Sequence, residues 1–518
     1  MALLTPDAPP RVSTPEIARP APRLPDRDGP PTDRRRGWVV TAVVTGVAAL
    51  TRFVGLGLPT DGGTPVFDEK HYVPQAYQDL ANGGLEDNPA YELVVHPPIG
   101  KQLMAVGQAV FGYTGVGWRA VSAVLGVLLV LLVVRIVRRM TRSTMLGGVA
   151  GVLAIADGVL FVQSRVGMLD IVLVFFVVAA LGCLIVDRDQ VRARTARVID
   201  EGRILDSSFG PRYGVRWWRF GAGVLLGLAC GTKWSGVYFV AAFGLLSVGF
   251  DLAARRGGGV RRPWAGTLRR DVGPALWALV VVPLAVYLAS FWAWFASETG
   301  VDRWAVGQQV GQGGTWSFIP GALRSLWYYS SHVLAFHEKL VTPAGNPHPY
   351  ESKPWTWPMG MRPMLYYFVD ADTVRGCGQA VCVSAVMLVG TPAMWWLAFP
   401  ALGWALWRMV ARRDWRYTVV LVGYGAAFLP WFTNLDRQMY FFYATAMAPF
   451  LIMGIALVLG DVLGRAGASA RRRTIGLAVV CVYLGLVVAN FIWLWPILTG
   501  SPITQARWQA ELWLPSWR

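Results

Sequence analysis

The chain has 518 residues, 54% of them hydrophobic and only 15% charged, with a formal net charge of +17. A soluble chain carries about 25% charged residues, so an ordinary cytosolic enzyme, a secreted disulfide scaffold and a disordered tail protein are excluded. The apolar residues come in unbroken blocks, such as 121–134 and 168–186. Blocks near the ~20 residues that match the hydrocarbon thickness predict an all-α polytopic membrane protein.

In chain order, residues 1–37 hold nine prolines and seven arginines without an apolar core. That composition predicts a disordered cytoplasmic tail rather than a signal peptide. Apolar runs then predict about 11 transmembrane helices, near 38–58, 118–137, 145–163, 168–186, 217–232, 234–250, 272–293, 380–407, 417–432, 441–459 and 474–495. With the N-terminus cytoplasmic, the inside segments are 1–37, 135–142, 187–219, 251–270, 408–416 and 461–473. They carry 33 of the 48 Lys and Arg residues. Short cytoplasmic loops retain positive charge, so this asymmetry sets the orientation and leaves 497–518 as an extracytoplasmic tail. The basic charge is thereby a topology signal helped by anionic lipid headgroups, and a nucleic-acid partner is not needed to explain it. Within the 38–496 transmembrane domain, the outside segments 59–117 and 294–379 are where function is expected. Cys377 and Cys382 fall near the outer end of the eighth span. A bridge between them requires Cys377 to sit in a loop, because five residues along a helix separate the two too far.

The first outside segment carries Phe67-Asp-Glu-Lys-His-Tyr72. Neighbouring side chains diverge, so Asp68 and Glu69 cannot serve the same atom. They read either as one catalytic base and one orienting group, or as a solvated helix start with Asp68 at the N-cap. The run from Val95 to Leu103 has Pro97 and Pro98 ahead of apolar residues at helical spacing, which predicts an interfacial helix. His96 and Lys101 then face headgroups or a phosphate. Arg52, Arg119, Arg165, Asp170 and Lys233 stand at the edges of apolar runs, toward the outer half of the membrane in this topology. Ionisable groups there are expensive and are site candidates, although Arg165 could instead brace Asp170 or Asp436. Four cations and three carboxylates together suit a phosphate-bearing substrate and a proton transfer. In the second outside segment, Trp355 and Trp357 beside proline suit an aromatic belt or a sugar platform shared with Tyr350. His337-Glu338 lacks the second histidine of a zinc motif, so no metal site is expected.

Phe67–Tyr72, His96–Lys101, Trp118–Gly126, Ser164–Asp170, Gly231–Gly236, His348–Pro358 and Arg437–Tyr443 stand in one order on one topology. Together they resemble the protein O-mannosyltransferase family, membrane enzymes of the GT-C glycosyltransferase fold, from about Arg36 to Pro496. With no soluble insertion in 294–379, the chain resembles the shorter bacterial members. The resemblance implies a cell-membrane enzyme that moves mannose from polyprenyl-phosphate mannose to Ser or Thr hydroxyls of translocated proteins, on the extracytoplasmic face and with inversion. It implies Asp68 as base and Glu69 as its essential neighbour. Arg52 and Arg119 match arginines that matter for activity, and Asp170 matches a second acidic position. Expected partners are secreted or membrane proteins with Ser/Thr-rich segments, the bilayer and, at family level, the secretion translocon.

The chemistry agrees with that implication. A Ser hydroxyl needs a carboxylate within hydrogen-bond reach, and a leaving lipid phosphate needs fixed cations. Lys233, Arg119 and Arg165 are candidates for that role, with His348 behind them. A monophosphate leaving group gives a metal no obligatory part, so no cofactor is expected. One base suffices for inversion, whereas a retaining route needs a second carboxylate, for which Asp170 is available. The alternative is another GT-C enzyme that delivers a lipid-linked sugar to a glycolipid or polysaccharide. A transporter is disfavoured because no repeat halves or broken midplane helices are visible.

Overall fold

The computed structural model describes residues 33–88, 91–343, 345, 347–371, 374–464 and 467–518, so most of the expected N-terminal tail lies outside the described residues. The first helix, α1 (Arg34–Phe53), begins inside the segment assigned to that tail. It runs antiparallel to α4 (Gly115–Thr141). Arg138 reaches Asp33 at 2.8 Å at one end of the pair. At the other end a Cβ on Gly115 would stand 2.4 Å from the Gly57 carbonyl oxygen, so only glycine permits that approach. Two short helices, α2 (Glu69–Ala81) and α3 (Ile99–Phe111), fill the intervening segment. Exposed Val106, Val110 and Phe111 give α3 an apolar outer face, the pattern of a helix lying against lipid. Its Lys101 does not face outward as expected, since it is buried on the opposite side.

The chain continues through α5 (Thr144–Ile155), α6 (Gly158–Gln163), α7 (Asp170–Asp200), α8 (Trp217–Cys230) and α9 (Gly236–Gly257). The break between α5 and α6 is made by Asp157, whose carboxylate accepts from the Leu160 N–H at 2.8 Å and caps α6. Among the described residues, six helices are long and apolar enough to cross a membrane: α4, α7, α9, Pro263–Ser290, Phe441–Leu463 and Ala470–Thr499. Other apolar runs fold as shorter helices such as α5 and α8, so eleven full-length spans do not emerge from helix length alone.

One expected span, 380–407, is not a single helix but begins as a strand. Cys382–Leu388 forms a strand, β2, buried at every position and paired antiparallel with β1 (Met364–Ala371). Helical structure returns only in one turn at Pro392–Trp395 and then from Ala398. A seven-residue apolar run does not distinguish strand from helix by periodicity, and Gly390 and Pro392 stop any continuation into a helix. Cys377 does lie in the loop before β2 and is bridged to Cys382, with Cα atoms 5.8 Å apart. The last residues pack back on the body, where the Trp517 indole N–H donates to the Gly360 carbonyl at 3.1 Å.

Candidate active site

Asp68 and Glu69 sit at the start of α2, after a turn in which Phe67 adopts φ +49°. That backbone region is unfavourable for a bulky side chain, by about 1–3 kcal/mol. The Phe67 ring stacks on Tyr366 of β1 at 4.4 Å, which holds the turn. The two carboxylates then diverge. Glu69 is fully buried and accepts four hydrogen bonds: from the Val66 N–H at 3.0 Å, the Gly167 N–H at 2.7 Å, and Arg119 Nε–H and Nη2–H at 2.7 and 2.9 Å. A Cβ on Gly167 would stand 3.3 Å from Glu69 Oε1, so the glycine keeps that approach open. The Asp68 carboxylate takes no hydrogen bond or ion pair among the described residues. It borders a cavity of about 960 Å³.

That cavity gathers residues distant in sequence. Asp170 opens α7, and Lys233 lies in the turn between α8 and α9. The ammonium donates to both Asp170 oxygens, at 2.9 and 3.0 Å. His96, ahead of α3, and His337, near the end of the Gly321–Lys339 helix, face each other with ring centroids 6.1 Å apart. Burial, with Asp170 adding, raises the Asp68 pKa above its ordinary 3.8, against the opposing pull of Lys233 and His71. Burial pushes His337 down to about 4, helped by Arg437 and Lys233. It holds His96 well below its usual 6.5 with the aid of the same lysine and His337. Both imidazoles are therefore neutral near pH 7. Away from this polar end the wall turns apolar, with Val237 and Tyr238 of α9 and Val280 and Leu284 of the Pro263–Ser290 helix. These four are themselves exposed on the bundle surface.

Several expected site residues do not line the cavity. Arg119, besides Glu69, donates to the carbonyls of Leu56 and Pro59. Arg165 donates to the carbonyls of Arg52, Val54 and Gly55 at 2.7–3.0 Å and pairs with neither Asp170 nor Asp436. Arg52 donates to the carbonyls of Ala154 and Ile155, the C-terminal end of α5. Fixed to backbone oxygens, these three guanidiniums brace the site from behind. Lys101 sits buried near Asp79 and Glu86. His348 and Trp355 are exposed and outside the cavity, and Tyr350 is half-buried outside it. Trp357 is fully buried, its N–H donating to Ser352 Oγ, so it offers no open face to a sugar. It instead packs against Trp431 and Tyr443, which do line the cavity.

Sequence reasoning missed His337 and Arg437 as cavity residues. Both come from stretches already singled out, but for a metal motif and for family likeness. Residues 340–342 pair with 436–438 through the bonds Gln438 N–H to Leu340 O and Thr342 N–H to Asp436 O. Lys353 Nζ adds bonds to the carbonyls of Leu435 and Arg437 at 2.9 and 3.1 Å. This long-range pairing brings the two residues together at the cavity.

Known proteins resemble the chain along nearly its whole length. Residues 114–297 match the family model described as dolichyl-phosphate-mannose-protein mannosyltransferase. Residues 322–517 match the C-terminal four-transmembrane region of protein O-mannosyltransferase. A polyprenol-phosphate-mannose–protein mannosyltransferase of Mycobacterium tuberculosis is 61% identical over 97% of this chain and 96% of its own. One from Corynebacterium glutamicum is 46% identical over 93% of each. Among solved structures, a Saccharomyces cerevisiae protein O-mannosyltransferase complex bound to the sugar donor superposes with a TM-score of 0.71, covering 93% of both chains at 16% identity. That likeness establishes the shared GT-C fold.

Proposed function

We infer that this chain, which belongs to the protein O-mannosyltransferase family, transfers mannose from a polyprenyl-phosphate mannose to Ser or Thr hydroxyls of proteins. The donor's prenyl chain lies along the apolar wall between α9 and the Pro263–Ser290 helix, where exposed Val237, Tyr238, Val280 and Leu284 connect the cavity with the lipid. The acceptor hydroxyl meets Asp68. The observation that carries this assignment is the contrasting fate of the two adjacent carboxylates. Glu69 is saturated by four donors and can only orient, whereas Asp68 is free at the cavity wall.

Asp68 then takes the hydroxyl proton as oxygen attacks the anomeric carbon, and the lipid phosphate departs on the opposite face with inversion. Asp170 is held by Lys233, which leaves Asp68 as the free carboxylate among the described residues lining the cavity and favours single displacement over a retaining route. Arg119 holds Glu69 in place, and Glu69 in turn ties the Asp68 turn to Gly167. The reaction runs on the extracytoplasmic face of the cell membrane. Because the chain supplies its own cations at the cavity, transfer should survive EDTA. Loss of activity that divalent ions restore would demand a metal.

The decisive assay uses the full chain in membranes, labelled polyprenyl-phosphate mannose and a Ser/Thr-rich peptide. Asp68→Asn should lower transfer by about 10²–10⁴-fold, the contribution of general base catalysis, while donor binding persists. Turnover near wild type in that variant would remove Asp68 from the role. Label appearing in glycolipid rather than peptide would reassign the acceptor.

A further inference from the structure

Two cationic side chains line the cavity, and they differ in kind. Lys233 is neutralised by a two-oxygen contact with Asp170. Arg437 has no carboxylate partner among the described residues. Its Nη2 lies 3.1 Å from His337 Nδ1, and its Nε is buried without a hydrogen-bond partner. The guanidinium carbon lies 5.7 and 5.8 Å from the ring centroids of Trp431 and Tyr443. Arg437 is half-buried, and a guanidinium with one buried, unused donor and no carboxylate beside it is one that an anion in the cavity would stabilise.

We propose that Arg437 holds the donor's lipid phosphate and that His337 positions it, with Lys233 confined to steadying Asp170. This rests on the reading that the donor is a lipid phosphate. An arginine always donates, so His337 Nδ1 must carry the lone pair and Nε2 the proton. That tautomer fixes one arm of the guanidinium and leaves the remaining N–H groups for phosphate oxygens, the planar geometry that arginine recognises bidentately. The backbone of Arg437 is fixed independently by the Gln438–Leu340 bond and by Lys353 Nζ on its carbonyl. The site is therefore built before any donor arrives. When the glycosidic bond breaks, the electron pair stays on the phosphate oxygen, and the charge that develops there falls beside Arg437.

The test compares binding of polyprenyl monophosphate with that of the same polyprenol lacking phosphate, using the full chain in nanodiscs. Arg437→Gln should weaken monophosphate binding by about 10- to 100-fold, the range for a lost charge-assisted hydrogen bond, and leave polyprenol binding unchanged. The donor KM should rise in parallel. His337→Asn keeps an acceptor near the Nδ1 position and should stay close to wild type, whereas His337→Leu should follow Arg437→Gln. Unchanged phosphate preference in Arg437→Gln, or its loss in Lys233→Gln alone, overturns the assignment while the donor class stands. Failure of the wild type to prefer monophosphate over polyprenol would instead overturn the lipid-phosphate reading itself. Inorganic phosphate at the same concentration should not displace the monophosphate; equal displacement would make Arg437 a site for free anions.

Discussion

Asp68 and Glu69 share a sequence position in all but one step, yet their chemistry is set by what arrives from elsewhere. Glu69 meets Arg119, fifty residues later, and the Gly167 amide, while among the described residues no hydrogen bond or ion pair claims the Asp68 carboxylate. The pair was legible in the sequence as a candidate site, and so was the rule that neighbours diverge. Which of the two remains free was not, because it depends on a partner with no local signature. The division predicts a pH profile. A base must be ionised, and burial raises the Asp68 pKa, so kcat/KM should fall as pH drops through a value above 3.8. His337 sits at about 4 and His96 well below 6.5, so neither adds a limb near 6.5, where free histidine titrates. A limb near 6.5 that disappears in His96→Gln would contradict this. Stability is tested at the same pair. Arg119→Met strands a fully buried carboxylate and should cost about 3–5 kcal/mol, read as a lowered Tm. The double variant Arg119→Met, Glu69→Leu should recover much of it, and no recovery would mean that the pair is not what the first variant broke.

At the scale of elements, the arginines at the ends of apolar runs are clamps on helix termini. Helix C-termini leave carbonyls unsatisfied, and two arginines answer this reciprocally. Arg52 at the end of α1 caps α5, and Arg165 after α6 caps α1. From sequence these charges were visible, and their cost in a membrane marked them for function. A buried arginine whose partners are backbone oxygens looks the same in sequence as one awaiting a phosphate. The hairpin of β1 and β2 was hidden for a different reason, a run short and apolar enough to fit either structure. Arg165→Met should therefore loosen the turn after α1 that leads toward Asp68. The expected result is faster amide exchange at residues 52–58 and a lower kcat, with donor KM nearly unchanged. A raised donor KM with an unchanged kcat would return Arg165 to the phosphate.

Over the whole molecule, charge separates along the helices. Asp170, Lys233 and the start of the Phe441–Leu463 helix meet at the cavity. The far ends carry the arginine–carboxylate network of Arg216 with Asp187 and Asp251, Arg255 with Asp271, and Arg408 with Asp414 and Asp461. Asp187 is 17 residues along α7 from Asp170, a rise of about 25 Å at 1.5 Å per residue, close to the ~30 Å hydrocarbon core. The two clusters therefore lie near opposite membrane surfaces. The arginine excess that makes the chain so basic belongs to the far surface, and by the retention of positive loops that surface is the one expected in the cytoplasm. In a chain with Cys183, Cys230 and Cys481 replaced by serine, a cysteine at exposed Trp355 should react with a membrane-impermeant maleimide on intact cells. One at exposed Arg412 should react only after the cells are opened. The bridged Cys377 and Cys382 stay silent in both. The reverse pattern would put Asp68 in the cytoplasm, out of reach of a chain emerging on the other side, and acceptors would have to be cytoplasmic. With the expected pattern, the free carboxylate faces the compartment where a translocated segment first exposes its hydroxyls.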